Sequence, residues 1–310
     1  MKRYLQIIVN DWKLRLIIYL IILFTSIFII TSLSSIYSLL ADNLGGFFVY
    51  FSAITNFVII LLPIFIIEKI RKVSFFKSIG LNYTKRTLYE IIKSFLYILI
   101  PFLIIFTFLY FTVKVEFIDS ILLLPIFSQL ILLLIFASQE EILFRGFILN
   151  TFSLRFSEKT SLILSAILFS SIHSINYNFS MLAAFNTFLG GIFFGTLFLK
   201  TKSLWMPIFT HYFWNLIQSL FLNSKLSGSE TDLMLFKIDI DNKIIEFLIN
   251  SNYGFEGTFV CSIVLIALIL IISKIETLIP ENSSYIEKIK INSNSNLISN
   301  VHTEKKYKNK

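Results

Sequence analysis

Apolar residues in this chain run in long unbroken blocks, such as LIIYLIILF at residues 16–24 and ILLLPIFSQLILLLIF at 121–136, with polar residues gathered between them. Neither the alternation of a half-buried strand nor the one-sided stripe of a surface helix organises these blocks. A helix crossing a bilayer needs about 20 mostly apolar residues. About eight runs approach that length: 16–39, 46–67, 92–113, 120–138, 160–175, 181–199, 204–222 and 257–273. The pattern predicts an all-α, polytopic helical membrane protein with about eight transmembrane helices. The membrane domain covers 1–273. The first run is longer than a signal-peptide core and lacks a clear small-residue cleavage site, so it reads as a retained span. From residue 274 the chain turns to Asn, Ser, Lys and Glu, and 274–310 reads as a disordered polar tail.

Basic residues fix orientation, because they gather in short cytoplasmic loops. Lys2, Arg3, Lys13 and Arg15 precede the first run, Lys69 to Arg86 carry six bases after the second, Arg145, Arg155 and Lys159 follow the fourth, and Lys200 and Lys202 follow the sixth. The alternate loops are poor in bases, and the loop at 223–256 holds more acids than bases. Both termini are therefore expected in the cytoplasm.

Composition supports the bilayer: 56% of the 310 residues are hydrophobic, 35 are Phe, 15% are charged and the mean hydropathy is +0.79, outside the range of soluble domains. The net charge of +8 would suit nucleic acid, but its bases sit between spans and in the tail, so nucleic acid is set aside as a partner. A lone cysteine, Cys261, offers neither a disulfide nor a thiolate cluster, which leaves oxygen and nitrogen groups for any chemistry. The wealth of Ile, Asn, Lys and Phe points to an A+T-rich genome and so to a bacterial plasma membrane.

Ionisable residues at membrane depth are costly, and each calls for a functional hypothesis. Two of the three histidines, His173 and His211, fall within apolar runs, while His302 lies in the tail. In ASQEEILFRGF (137–147), Glu141 and Arg145 are four residues apart, so on a helix they share a face and pair. Glu140 points about 100° away, and the two glutamates should have different roles. Alone, the stretch also reads as a charged collar ending a span. In LFSSIHSINYN (168–178), His173 closes an apolar run, where an interfacial histidine bonded to a carbonyl is the plain alternative. In SLWMPIFTHYFWNL (203–216), His211 and Asn215 share one helix face within hydrocarbon, able to converge on one small group or to bond a neighbouring helix. GGIFFG (190–195) sets Gly191 and Gly195 at the spacing that lets helices approach closely. Together the three polar stretches supply the parts for activating water: a carboxylate to take a proton, and imidazoles and an amide to polarise water, hold a metal or stabilise an oxyanion.

The order Glu140-Glu141-Ile142-Leu143-Phe144-Arg145, then Phe169-Ser170-Ser171-Ile172-His173, then His211-Tyr212-Phe213-Trp214-Asn215 resembles the CAAX prenyl protease and bacteriocin-processing family of intramembrane proteases. Gly146, the two glycines of the sixth run, and Ser203-Leu204-Trp205 with Pro207 resemble its landmarks too, over about residues 120–222. The resemblance implies an intramembrane endopeptidase acting on a membrane-associated peptide or protein. Glu140 would be the general base, His173 would bind or polarise the water, His211 and Asn215 would stabilise the oxyanion, and Glu141 with Arg145 would position the catalytic segment. It also leaves open a zinc enzyme, with Glu140, His173 and His211 as ligands and a fourth position for water, and a metal-free glutamate mechanism. For a bacterial chain, bacteriocin maturation or self-immunity is the expected role. Two alternatives stand beside it. One is a noncatalytic immunity protein of the same fold that binds its partner. The other is a secondary transporter, which the lack of an internal repeat argues against.

Overall fold

The computed structural model describes residues 9–118, 123–230 and 234–275. Each of the eight apolar runs contains a helix. They are α1 (Trp12–Ser32), α2 (Phe48–Arg71), α3 (Thr87–Thr112), α4 (Leu123–Glu141), α5 (Glu158–His173), α6 (Met181–Thr201), α7 (Trp205–Leu222) and α8 (Phe259–Lys274). The segments Trp12–Ser32, Ser38–Arg71, Thr87–Thr112, Ile126–Phe152 and Met181–Thr201 are long and apolar enough to cross a membrane unaided. At 16 residues each, α5 and α8 fall short of a full crossing and depend on their neighbours. The chain is a polytopic all-α membrane protein. The tail expected at 274–310 lies, after Ile275, outside the described residues.

Local chemistry sets the helix ends. Asp11, Ser157, Ser180 and Thr258 each accept a hydrogen bond from a backbone N–H of the first turn of α1, α5, α6 and α8. Lys72 and Lys202 close α2 and α6 in left-handed conformation. The first apolar run is not one helix: it stops at Leu33 and resumes as Ser34–Leu44. The fourth does not end at 138. After Glu141 it continues as a π-helix over Ile142–Leu149 and a final turn at Asn150–Phe152. The acidic loop after α7 also has order of its own, a strand Phe236–Asp239 paired antiparallel with Lys114–Phe117 and a short helix Lys243–Ile249.

Two apolar clusters hold the bundle. Ile98 and Phe102 of α3, Phe193 and Leu197 of α6, Trp214 of α7 and Leu265 of α8 form one; Phe102 meets Trp214 edge-on at 5.1 Å. Tyr19 of α1, Ile64 and Ile67 of α2, Phe147 of the π segment and Phe198 of α6 belong to the other. A buried network of Arg15 and Arg71 around Glu68 ties α1 to α2. The outward faces are apolar, with Phe28 71% and Ile104 66% exposed, as lipid-facing surfaces are. Most of the π segment belongs to the second cluster, through Ile142, Phe144, Phe147, Ile148 and Leu149, and it packs against α5 and α6 while α4 packs against α7.

Candidate active site

The π segment is packed on all sides. Seven of its eight residues are buried, including Arg145, whose side chain is 1% exposed. Arg145 Nη1 donates to Glu141 Oε1 at 2.8 Å, and Nη2 donates to the Gly191 carbonyl of α6 at 3.2 Å. Its guanidinium stands over the rings of Phe169 of α5 (4.5 Å) and Phe194 of α6 (5.3 Å), so three helices meet on one cation. The glycines of α6 allow this approach: a Cβ on Gly191 would come within 2.8 Å of the Ala166 backbone of α5.

Glu140 and Glu141 face different partners. Glu141 is fully buried, and its Oε1 also accepts His211 Nδ1 at 2.9 Å, while its Oε2 has no partner among the described residues. The His211 ring stacks on Phe194 with centroids 4.8 Å apart, which fixes its plane. With Nδ1–H used on the carboxylate, His211 Nε2 can donate only in the imidazolium form. Asn215, one turn further along α7, is half-buried. Glu140 is 30% exposed and turns to α5, where its Oε2 lies 3.8 Å from His173 Nε2.

His173 ends α5. Its Nδ1 bonds the Phe169 carbonyl at 2.8 Å, so Nδ1 carries the hydrogen and Nε2 of the neutral ring is an acceptor. Glu140 Oε2 is buried and has no hydrogen-bond partner among the described residues. Two acceptors 3.8 Å apart are too far for a direct hydrogen bond, yet one water can donate to both. Among the described residues no three His, Cys, Asp or Glu side chains are placed to hold a metal ion. Glu140, His173 and His211 thus do not form a ligand set in this arrangement, since His211 is turned to Glu141.

A cavity of about 30 Å³ opens beside these groups, lined by His173, His211, Phe194, Trp214, Ser227 and Glu256 among others. The loop after α7 closes it. Gly228 N–H donates to the Tyr253 carbonyl, Asn176 Nδ2 donates to Tyr253 Oη, and Asn186 Nδ2 donates to the Glu256 and Thr258 carbonyls. The Tyr253 phenol is pushed up to about 12, first by burial and then by the Glu256 charge, so it stays protonated. Phe194 and Trp214 lie within GGIFFG and HYFWN but carried no expected role there, and Glu256 lies in no motif; all three reach the site through tertiary packing.

The comparisons with known proteins agree with the segment that carries these groups. No curated protein and no solved structure matches the chain. Residues 121–217, from the start of α4 into α7, match the family described as "Type II CAAX prenyl endopeptidase Rce1-like". That span contains the glutamate pair, Arg145, both histidines and Asn215, and over it the chain is similar to this family of CAAX prenyl endopeptidases.

Proposed function

We propose that the chain is an intramembrane endopeptidase in which Glu140 is the general base and His173 its partner in holding the attacking water. The observation that carries this reading is the 3.8 Å separation of Glu140 Oε2, buried and without a hydrogen-bond partner, from the acceptor nitrogen of a histidine whose tautomer is fixed. A water donating to both presents its lone pairs to a peptide carbonyl. Glu140 takes one proton as the water oxygen bonds to the carbonyl carbon, giving a tetrahedral oxyanion. His211, as imidazolium, and the Asn215 amide donate to that oxyanion. Glu140 then returns its proton to the leaving amine as the C–N bond breaks. Arg145 and Glu141 do not touch the reacting atoms; they fix the π segment and the His211 ring. Every step in this reading uses the chain's own groups, which accords with no three His, Cys, Asp or Glu side chains among the described residues being placed to hold a metal ion.

The substrate is a membrane-associated peptide or protein, and for a bacterial plasma membrane the role that fits is maturation of a bacteriocin-type peptide or immunity to it. Comparing the peptides of cells carrying the native chain or Glu140→Gln tests catalysis and identifies the substrate together. The expected result is a precursor that accumulates with the variant, with cleavage lowered by about 10²–10⁴-fold, the usual contribution of a general base. A stably inserted Glu140→Ala chain that keeps full biological activity would instead establish a protein acting by binding alone.

A further inference from the structure

Glu256 lies outside residues 121–217 and in no motif, yet its carboxylate lines the same cavity as His173 and His211. Three neutral donors hold it. Trp214 Nε1 donates to Oε1 at 3.2 Å, and the Ser227 backbone N–H and hydroxyl donate to Oε2 at 2.9 and 2.6 Å. A carboxylate's two oxygens accept about four hydrogen bonds, so Oε1 keeps one acceptor place. Among the described residues Glu256 forms no ion pair with a lysine, arginine or histidine. No lysine or arginine lines the cavity, and the charge of nearby Arg145 is engaged by Glu141. The rings of Phe169, Phe194 and Trp214 in the same wall also attract a cation.

We propose that Glu256 is a specificity-determining residue of this site that receives a primary ammonium group of the substrate. The inference rests on the peptidase reading. The single free acceptor place selects the ammonium, a compact point donor that can set one N–H on Glu256 Oε1 beside the Trp214 indole. A guanidinium is a planar fork suited to two parallel bonds, and Oε2 is already taken by the Ser227 backbone N–H and hydroxyl. The ammonium donates to Glu256 Oε1, and that carboxylate supplies the compensating negative charge. Either a lysine side chain or a free N-terminal amine has this chemistry.

Trp214 reports on the site directly, since its indole donates to Glu256. In the full chain in detergent micelles, with Trp12 and Trp205 replaced by Phe, Trp214 fluorescence is titrated with three peptides. They are acetyl-Phe-Lys-Leu-amide, Phe-norleucine-Leu-amide with its amine free, and the acetylated, uncharged form of the second. One charged peptide is expected to bind at least tenfold more tightly than the neutral one, and which of the two does so identifies the source. Glu256→Gln should abolish that preference. Ser227→Ala, which removes a donor and keeps the charge, should retain it. Equal binding of all three peptides to the chain with Glu256 intact overturns the proposal, whether or not the Gln variant folds. So does loss of the preference in Ser227→Ala as complete as in Glu256→Gln, because Glu256 would then only anchor the loop. Preference for an ammonium in a chain that hydrolyses no peptide supports the subsite and sinks the peptidase reading. Hydrolysis of charged and neutral peptides at equal rates, with or without Glu256, does the reverse.

Discussion

Replacing Arg145 by Met removes the cation from the most enclosed ion pair of the molecule. Both partners are at most 1% exposed. The substitution deletes the bond to Glu141, the bond to the Gly191 carbonyl and the contacts with Phe169 and Phe194, and leaves a buried carboxylate with only His211 beside it. Removing one partner of a buried pair costs about 3–5 kcal/mol. Glu141→Gln strands the cation instead, and a cost of about 3 kcal/mol is expected for the same reason. The double variant strands neither charge, so it should cost less than the sum of the two. A coupling of about 2–3 kcal/mol is expected for residues in direct contact. The assay is reversible unfolding in mixed micelles at rising SDS fraction, followed by circular dichroism, for the native chain, both single variants and the double. Single costs that add to within about 0.5 kcal/mol would refute the pairing as a source of stability. The readout does not depend on the substrate.

Other outcomes follow from the same geometry. Gly191→Ala places a methyl 2.8 Å from the Ala166 backbone, so α5 and α6 must separate; a loss of about 1–3 kcal/mol is expected in the same unfolding assay, and an unchanged midpoint would contradict the close approach. Cleavage should survive exhaustive chelation, with metal content by mass spectrometry well below one ion per chain; activity that falls with the metal and returns with zinc would overturn the metal-free mechanism. A cysteine introduced at Lys85 should react with a membrane-impermeant reagent only after the cells are opened, and labelling of intact cells would sink the proposed orientation.

Much of the architecture could be read from the apolar runs, because length and hydropathy belong to each run by itself. The divergence of the two glutamates could be read as well, since adjacent positions on a helix point in different directions whatever surrounds them. Their partners could not. His173 comes to Glu140, and His211 to Glu141, from helices whose placement is a property of the whole bundle. The π segment was also hidden, because eight residues do not separate its period from the ordinary helical one. Glu256 was the least legible residue. It lies in an acidic loop that reads as solvent-facing, and it turns inward only because Trp214, Ser227 and Asn186 bond its carboxylate and carbonyl.

Glu141 and Arg145 belong to a single helix, and this bears on how the protein is made. When the fourth span enters the bilayer, α5, α6 and α7 have yet to be synthesised, so neither the Gly191 carbonyl nor His211 exists to satisfy its charges. A partner four residues away is available as soon as that stretch becomes helical. The two charges can thus enter the hydrocarbon already neutralised, and the later helices dock against a prepared polar unit. Moving either residue to another helix would keep the finished contact and remove that early protection, so insertion of the span, more than the stability of the folded protein, would suffer.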